Sequence, residues 1–404
     1  MSAPALKNLD KVLWPAAGFT KGHMVEYYRE VAPAVLPHLA GKPVVVRRFP
    51  DGVESLNWFQ NELRGRPEWV RTVPIGVRSG AVQQFALVED VRTLLWAANL
   101  ASIELHPFLA RAEALSRPTV AVFDLDPGPP ADLLDCCRVA LRLRERLEAL
   151  GLASFAKVSG SVGLHVYLPL DGDVGFDATR RFARALAAEL AGEGVVERFD
   201  HSVRAGKVLI DWRQNERGRQ MVAPYSLRGT VWPTVSAPVG WEEIERAVGE
   251  RRAELLVFDA RDALERLERL GDLFRPVLGV DTTVVCAGRV YGKADGPEEA
   301  AAMLAALGGN THEVVSGLCL VTPGWDVVEH DVTRVTFRLL TPRDVAAYIG
   351  TGEWEGRAGA YAIQGVGGSL VERIEGDYLN VVGLPAAALV RLLSQRFAGV
   401  YGFG

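Results

Sequence analysis

The sequence predicts a mixed α/β fold arranged in two domains. Short segments rich in β-branched residues recur along the chain, and they alternate with segments whose apolar residues have helical spacing. At 404 residues the chain exceeds the usual size of one domain, and its composition, 49% hydrophobic and 24% charged, is that of a globular protein. We therefore expect more than one hydrophobic core.

Helices and strands can be predicted in the first two thirds of the chain, up to a domain boundary. Pro276 closely follows the last predicted helix, so we place a domain boundary near it, at about residue 278, giving domains 1–278 and 279–404. The predicted helices are Met24–Leu39, interrupted by proline, then Leu133–Leu147, Ala178–Ala191 and Asp259–Phe274. The predicted strands are Pro43–Arg48, Thr119–Phe123, Phe155–Val158, His165–Leu168 and Val208–Ile210.

Charge and composition exclude several classes of protein. A net charge of −5 argues against a protein that coats nucleic acid non-specifically. No segment resembles a signal peptide or a membrane span, so we expect a cytoplasmic protein with reduced cysteines and no membrane partner. One stretch, from His201 to Thr230, is basic, which fits either a phosphate-binding surface or an ordinary solvated surface.

Three aspartates mark the ends of two predicted strands. Side chains alternate along a strand, so Asp124 and Asp126 point to one face, and Asp211 ends the strand that begins at Val208. Carboxylates this close repel one another unless a divalent cation neutralises them, and their oxygens suit magnesium or manganese. The three acids are candidate ligands of a metal pair for phosphoryl transfer, although Asp-x-Asp alone also fits a strand-end turn.

A glycine-rich turn lies between the acids, from Ser159 to Gly163, and leads into the strand that carries His165. Backbone N–H groups in such a turn can bind phosphate, so we expect it to hold a triphosphate. A histidine at this position also fits a hydrogen-bonded core residue.

Five ordered segments carry a family resemblance. They are LKNLDKVLWPAAGFTKGHMVEYY, NLASIELHPF, FDLDPG, SGSVGLHVYLPL and RAGKVLIDWRQNERGRQMVAPYSLRG. Together they resemble the polymerase domain of bacterial ligase D, in the archaeo-eukaryotic primase superfamily, over about residues 6–278. The resemblance implies a catalytic domain with a mixed or antiparallel sheet flanked by helices. It also implies a nucleotidyltransferase that adds NTPs or dNTPs at gaps and ends in DNA repair, using two Mn²⁺ or Mg²⁺ ions.

The resemblance assigns roles to individual residues. Asp124, Asp126 and Asp211 match the metal-binding, catalytic acids of the family. Lys11 and Lys21 match residues that hold a 5′-phosphate of DNA, although exposed lysines also serve solubility. The residues that match the nucleotide pocket are Ser159, Gly160, His165, Arg204, Gln214 and Arg228, with Phe59 as a stacking residue or a core aromatic.

The chain departs from the family in two places. Val162 stands where the family usually has a lysine, and Phe59-Gln60-Asn61-Glu62 replaces an F-Q-K-N pattern. A lost positive charge should weaken nucleotide binding without removing the chemistry. No K-x-D-G ligase motif is present, so we expect a polymerase that works with a separate ligase and a Ku-type factor.

The C-terminal segments GVDTTVV, GKAD, AGAYAIQG and EGDYLNVVGLP carry a second resemblance. Residues 279–404 resemble the later part of Maf-type nucleoside triphosphate pyrophosphatases of the dTTP/UTP class, a smaller α/β module. The resemblance implies that Asp281 serves the metal and the attacking water, Lys293 meets phosphates and Gln364 lies in the base pocket. The family's first strand and phosphate loop have no counterpart before Asp281, so we expect a module without its N-terminal part.

Three functions follow from these patterns. The leading one is metal-dependent nucleotidyl transfer to DNA in end joining. The alternatives are nucleoside triphosphate pyrophosphatase activity in the C-terminal module and a catalytically weak module that binds DNA ends.

Overall fold

The computed structural model describes residues 5–63, 65–77, 80–170, 174–192, 194–274, 277–322 and 325–396. The chain forms two compact units, Met1–Arg275 and Pro276–Gly404. Both units mix helices and strands, which confirms the predicted fold class. No helix in the described part of the chain has the length and apolar character needed to cross a membrane.

The first unit contains two main sheets and seven α-helices in its described residues. In chain order the elements are β1 (Val12–Trp14), β2 (Phe19–Thr20), α1 (Lys21–Glu30), α2 (Ala32–Leu39), β3 (Pro43–Arg48), β4 (Trp58–Gln60), β5 (Thr72–Gly76), β6 (Val82–Leu87), α3 (Val91–Asn99), β7 (Ser102–Pro107), β8 (Val120–Pro127), α4 (Leu133–Ala149), β9 (Phe155–Val158), β10 (Leu164–Pro169), α5 (Phe176–Leu190), β11 (Val195–Val196), β12 (Val208–Asp211), β13 (Pro238–Val239), α6 (Trp241–Glu250) and α7 (Ala260–Leu270).

The central sheet of the first unit has six strands in the order β11-β12-β8-β10-β9-β13. Only β11 and β12 pair in parallel within it, so the sheet is mixed, as predicted. Side chains alternate along β8. Ala121, Phe123 and Leu125 enter the main core, which also contains the apolar face of α4, while Asp124 and Asp126 lie on the opposite face.

A second sheet of the first unit has the order β4-β3-β6-β5, and β7 also pairs with β3. Helices α1, α2 and α3 pack together beside these strands and share the main core. The sheet matters for function because β7 and β4 bring side chains to the same site as the central sheet.

Three of the differences between the predicted and the observed element boundaries have a clear physical cause. The first helix is two helices that meet at Val31, because Pro33 lies in the first turn of α2. Strand β8 continues through Pro127, because β10 and β12 pair with its second half, so Asp124 and Asp126 lie within the strand. Helix α7 ends at Leu270, four residues before its predicted end, because Gly271 follows with φ +68°.

The second unit has one five-stranded antiparallel sheet, in the order β15-β14-β16-β17-β18. Its elements are β14 (Val277–Cys286), β15 (Arg289–Tyr291), α8 (Pro297–Leu307), β16 (Thr311–Thr322), β17 (Trp325–Phe337), α9 (Pro342–Ile349), β18 (Val371–Glu375), α10 (Tyr378–Val382) and α11 (Ala386–Arg396). Strand β14 pairs with β16 from Val277 to Val285, but β15 pairs only with Val284–Cys286. Within the described residues, the first part of β14 is therefore an open sheet edge.

The four cysteines are free, as predicted. Cys136, Cys137 and Cys286 are buried, and Cys319 is partly buried. Burial raises the pKa of the Cys137 thiol to about 12, so this thiol is inert packing.

Candidate functional site

Three aspartates converge on one face of the central sheet. Asp124 and Asp126 lie two residues apart on β8, so they share a face. On the neighbouring strand, Asp211 is the direct partner of Asp124 in the antiparallel register. Residues directly opposite one another in such a pair have adjacent side chains. The strand geometry thus brings together the three acids that the sequence singled out.

These carboxylates lie in an unfavourable electrostatic environment. Burial, and then the charge of Asp124, raises the pKa of Asp211 to about 6. Burial also raises the pKa of Asp124, against the opposing charges of Lys157 and Arg228. Burial and the charge of Asp124 raise the pKa of Asp126 as well. Acids that resist ionisation in this way are stabilised by a bound cation.

The carboxylate oxygens already have protein partners. The Gln214 amide nitrogen lies 3.0 Å from an oxygen of Asp211 and 3.5 Å from one of Asp124, so it bridges the two acids. His165 Nε2 lies 3.2 Å from the other oxygen of Asp124. With the side chains in these positions, the described residues contain no group of three or more His, Cys, Asp or Glu arranged to hold a metal.

The donor set nevertheless fits a divalent cation. Three carboxylates on one sheet face offer the hard oxygen ligands that Mg²⁺ and Mn²⁺ prefer. The Gln214 amide supplies positive partial charge between Asp124 and Asp211, where a cation would lie.

The glycine-rich turn next to the acids is internally bonded. The Ser159 hydroxyl accepts hydrogen bonds from the backbone N–H groups of Ser161 and Gly163, each at 3.1 Å. Two of the N–H groups expected to bind a triphosphate are therefore used within the turn. Gly160 adopts φ +71°, and the Thr234 hydroxyl donates to its carbonyl oxygen. A Cβ at Gly160 would meet the Val235 backbone and the Arg228 side chain, so only glycine fits there.

Several buried nitrogen atoms of residues around the acids lack a hydrogen-bond partner within the described structure. They are Nδ1 of His165, Nε of Arg204 and Nε of Arg228. An unsatisfied buried polar atom is costly, so such atoms often mark a ligand site. Their charges also act on Asp124, because Arg228 and Arg204 both lower its pKa. These donors can bind an anion beside the acids.

On the side of the site formed by the second sheet, a buried acid on β7 binds several of the surrounding residues. We call this side the second wall of the site. Glu104 is 1% exposed and hydrogen-bonds to His106 at 2.8 Å and to the backbone N–H of Gly229 at 3.0 Å. Burial alone would raise the pKa of Glu104, but the hydrogen bond from His106 and the charge of Arg228 outweigh it and lower the value to about 2. Glu104 is thus an anion that fixes Arg228, whose Nε lies 3.6 Å away.

Phe59, on β4, belongs to the second wall and is exposed. Its side chain is 54% accessible, so the core alternative considered for it is wrong. The ring packs edge-to-face on His106 at 5.1 Å between centroids, and the Arg47 guanidinium lies 5.4 Å from the ring centre. An exposed aromatic ring held this way can stack on a base or a sugar.

Lys157 on β9 is a further buried cation. It is fully buried, and its ammonium group donates to the Ser236 hydroxyl. Burial, and then the charge of Arg228, lowers its pKa, while Asp124 raises it. The strand register pairs Lys157 with His165, so it belongs to the same cluster as the acids.

The two predicted DNA-binding lysines lie at the start of the chain. Lys11 is exposed and pairs with Asp51 at 2.7 Å. Lys21 is 6% exposed and donates to the Lys7 carbonyl at 2.7 Å, so it is no solubilising surface residue. Burial, and then the charges of Lys11 and Arg48, lowers the pKa of Lys21. Lys11, Lys21 and Arg48 therefore form a second cluster of positive charge in the first unit.

Sequence reasoning missed four residues of these clusters: Glu104, His106, Lys157 and Arg48. The first two lie within a segment used for the family resemblance, and their Glu-x-His spacing on a strand was an available signal. Lys157 stands two residues before the glycine-rich turn, inside a predicted strand where a lysine is unusual.

The second unit has its own cavity, of about 200 Å³, beside the open edge of β14. Asp281, Lys293 and Gln364, which the sequence predicted as one site, all line it, and Arg357 joins them. All four residues are exposed. The backbones of Lys293 and Ala358 form a β-bridge, which fixes the lysine next to the segment that carries Arg357 and Gln364.

Comparisons with known proteins identify both parts of the chain. Residues 20–274 match the family described as LigD, primase-polymerase domain, and residues 237–396 match the family described as Maf-like protein. The matches overlap at residues 237–274, which the structure places in the first unit. Over 278 residues the chain is 37% identical to the multifunctional non-homologous end joining protein LigD of Mycolicibacterium smegmatis, covering 67% of this chain and 36% of that protein.

A solved structure and a second relative agree with these matches. The polymerase domain of Mycobacterium tuberculosis ligase D in complex with DNA has a TM-score of 0.63 and 36% identity, with 68% of this chain and 97% of that one covered. The dTTP/UTP pyrophosphatase of Moorella thermoacetica is 53% identical over 128 residues, which are 31% of this chain and 66% of that protein. The chain spans about a third of the LigD relative's length. The chain therefore belongs to the LigD primase-polymerase domain family, and its C-terminal part is a Maf-like domain.

Proposed function

We propose that the first unit is a nucleotidyltransferase that adds NTPs or dNTPs to DNA at gaps and ends during repair by end joining. The LigD polymerase family is generally metal-dependent. The observation that carries the proposal is the convergence of Asp124, Asp126 and Asp211 on one sheet face, next to buried cations with unsatisfied donors. A cluster of this kind suits a metal-bound triphosphate better than any uncharged substrate.

The three acids would hold two divalent ions, Mn²⁺ or Mg²⁺. When bound, these ions would activate the attacking hydroxyl and neutralise charge on the leaving pyrophosphate. In the reaction, the 3′-oxygen of a DNA strand bonds to the α-phosphorus of the incoming nucleotide. The bond between the α-phosphorus and its bridging oxygen breaks, pyrophosphate leaves, and the hydroxyl proton is lost to solvent.

The remaining residues would position the nucleotide. Arg228 and Arg204 would bind triphosphate oxygens through their guanidinium groups, each of which has a buried Nε without a hydrogen-bond partner in the described structure. The Gly160 turn, with Ser159 and His165, would carry the phosphates, and Gln214 would move from the acids when metal binds. Phe59, supported by His106, would stack on the base or sugar.

The DNA end would be held by Lys11 and Lys21. The Lys21 ammonium group lies close enough to Lys11 and Arg48 to feel both charges, and together these cations suit the 5′-phosphate on the far side of a gap. If these lysines hold a 5′-phosphate, the substrate is a DNA end or gap. The partners would then be a separate ligase and a Ku-type factor, and the protein would act in the cytoplasm, at the nucleoid. The LigD relative in the solved structure is itself bound to DNA.

Extension of a gapped, 5′-phosphorylated duplex tests this function. With Mn²⁺ and either type of nucleotide, the wild-type protein should extend the strand, and Asp124→Ala should reduce extension by at least about 1,000-fold. Asp177→Ala, an exposed aspartate on α5, is the matched control and should retain activity. Extension by Asp124→Ala at the wild-type rate would refute the assignment.

The cavity of the second unit supports a second candidate function. We propose nucleoside triphosphate hydrolysis to monophosphate and pyrophosphate, with Asp281 orienting water, Lys293 neutralising the pyrophosphate and Gln364 contacting the base. Release of pyrophosphate from dTTP or UTP without DNA tests it. Strong, salt-sensitive DNA binding with neither activity would instead favour a module that only binds DNA ends.

We also propose that the functional division of the chain lies at about residue 278, with the polymerase in 1–278 and the Maf-like module in 279–404. The compact units divide three residues earlier, between Arg275 and Pro276.

A further inference from the structure

A groove of about 770 Å³ lies between α1 and α7 of the first unit, and none of its lining residues belongs to the sites described above. The two helices contact each other. The floor of the groove is apolar and is formed by Phe19, Tyr27, Ala260, Leu264 and Leu267. Leu264 and Leu267 pack on the main core but remain partly exposed. The first unit therefore leaves an apolar surface open between two helices.

The side chains at one end of this floor have fixed positions. Tyr27 is 3% exposed, and its hydroxyl donates to the Tyr225 carbonyl oxygen at 2.8 Å. The Phe19 ring packs edge-to-face on Trp14, 5.2 Å between ring centroids, and lies 5.2 Å from the His23 ring. A groove that is formed in advance loses little conformational entropy when a partner binds to it.

The rim of the groove is acidic. Four exposed glutamates line it, two from each helix: Glu26, Glu30, Glu265 and Glu268. Arg261 is the one arginine or lysine among the lining residues that the structure describes, and it pairs with Glu265 at 2.8 Å. Glu26 pairs with Arg29 at 3.1 Å, whereas Glu30 and Glu268 have no ion pair within the described part of the chain. This rim suits a ligand that carries positive charge beside an apolar surface.

The spacing of the lining residues gives the groove a direction. On α7 the apolar residues recur at positions 260, 264 and 267, and the charged ones at 261, 265 and 268. Both sets have the spacing of one helix face, so an apolar stripe and a charged stripe run side by side along α7. Helix α1 has 10 residues and α7 has 11, so each wall is about 15 Å long. A partner helix of about three turns spans this length.

The walls and their charge determine the class of partner. The two helical walls bond their backbone groups internally, so they offer no strand edge to which an extended peptide could add. Glutamates repel phosphates, which excludes the backbone of a nucleic acid. An α-helix satisfies its own backbone and can present apolar residues to the floor with lysines or arginines beside them.

We propose that this groove is a docking site for a cationic amphipathic helix of a partner protein. Apolar residues of that helix, spaced i, i+3, i+4 and i+7, lie on Leu264 and Leu267. Its lysines or arginines pair with Glu30 and Glu268, the two glutamates of the rim that have no ion pair in the described chain. The inference does not depend on the proposed nucleotidyl transfer, because the groove shares no residue with that site.

Binding of synthetic peptides to the full chain tests the inference. Fluorescence anisotropy compares three labelled peptides of about four helical turns. The first has leucines at helical spacing among lysines and alanines, the second has the same residues in an order without an apolar face, and the third has glutamate in place of each lysine. The first peptide should bind the wild-type chain at least about tenfold more tightly than either of the others, and more weakly as salt is added.

Charge reversal locates the binding to the groove. Glu30→Lys combined with Glu268→Lys should weaken binding of the first peptide at least about tenfold, because attraction becomes repulsion. Glu145→Lys combined with Glu372→Lys gives the same net charge by reversing two exposed glutamates outside the groove, and it should keep the affinity within about twofold of the wild type. Leu264→Asn should also weaken binding about tenfold, since the floor loses apolar surface. Thermal melting checks folding, and the glutamate variant decides the outcome if Leu264→Asn is unfolded.

Three results would overturn the inference. The first is equal binding of the three peptides by the wild-type chain. The second is wild-type affinity for the first peptide in the folded Glu30→Lys, Glu268→Lys variant. The third is a wild-type dimer in light scattering that Leu264→Asn converts to a monomer, which would assign the groove to a second copy of this chain.

Discussion

The two units both gather acids and cations around a cavity, but they do so in different surroundings. In the first unit, Asp124, Asp126 and Asp211 lie on a sheet face between paired strands, and burial raises the pKa of each. The charge of Asp124 adds to the rise at Asp126 and Asp211. In the second unit, Asp281 and Lys293 are exposed beside the open edge of β14. One site is closed in by its own strands, whereas the other lies at the border of its sheet.

The two sites differ in how much stability the protein loses when no ligand is bound. Buried carboxylates, together with donors such as Arg204 Nε that lack a hydrogen-bond partner in the described structure, cost stability without a ligand. The protein regains that stability when a metal and a triphosphate bind. Exposed side chains around a 200 Å³ cavity carry no comparable strain. The site of the first unit is therefore organised for a charged ligand, whereas the exposed side chains of the second unit gain less from binding one.

Replacing one acid in each unit should separate the two activities and gives the largest expected effect. Asp211→Asn should lower strand extension by at least about 1,000-fold, because one of the three proposed metal ligands loses its charge. The same protein should release pyrophosphate from dTTP at the wild-type rate. Asp281→Asn should leave extension unchanged and remove any pyrophosphate release. Loss of both activities in either variant would mean that the units share one catalytic site.

Glu104 tests how far the first site depends on buried charge. Glu104→Ala leaves Arg228 and His106 without their anion, so we expect a loss of roughly 3–5 kcal/mol in the free energy of unfolding. The KM for the nucleotide should also rise, since Arg228 loses its fixed position. Urea unfolding and nucleotide titration measure these effects, and Glu68→Ala, an exposed acid, is the control. A variant as stable as the control would show that Glu104 has no structural part in the site.

Local sequence patterns were enough to locate the acids. Side chains alternate along a strand, which places Asp124 and Asp126 on one face, and a predicted strand ends at Asp211. These two local features were enough to predict that the three acids form a cluster. The family resemblance, rather than a local pattern, assigned Gln214 and His165 to the nucleotide pocket, and the structure places them 3.0 Å from Asp211 and 3.2 Å from Asp124. The fold class was predictable for the same reason, because strands and helices have distinct apolar periods.

Contacts between sheets were not predictable in this way. Glu104 and His106 lie on β7, in the second sheet, and reach the site only because β7 pairs with β3 while Gly229 folds back onto Glu104. No pattern in the sequence around Glu104 or Gly229 predicts this contact. The hydrogen bonds that the Ser159 hydroxyl accepts within its own turn were not predicted either. Whether such a hydroxyl binds a ligand or nearby backbone N–H groups depends on the conformation of the turn, which the sequence pattern does not specify.

The lysine cluster predicts a moderate effect confined to one kind of DNA end. Lys21→Ala should weaken binding of a gapped duplex about tenfold when the downstream end carries a 5′-phosphate, and much less when it carries a hydroxyl. Lys11→Ala should act in the same direction but less strongly, because Lys11 is already paired with Asp51. Anisotropy with both duplexes measures the difference, and Lys207→Ala, another cation of the first unit, is the comparison. Equal losses for both ends would remove the 5′-phosphate assignment.

The smallest expected effect is on stability, and it depends on pH. The pKa of Asp211 in the folded protein, about 6, is higher than the value of about 3.9 for an unfolded aspartate, so folding favours the protonated form. The resulting stability is complete below the unfolded pKa and is lost as pH rises through about 6. Asp211→Asn is neutral at all pH values and should melt roughly 3 °C or more above the wild type at pH 8 in EDTA, but not at pH 4. Mn²⁺ should raise the melting temperature of the wild type more than that of Asp211→Asn. An aspartate whose replacement destabilises the metal-free protein at pH 8 would instead be a structural partner of Gln214, and the contrast with the exposed Asp281 would lose its electrostatic basis.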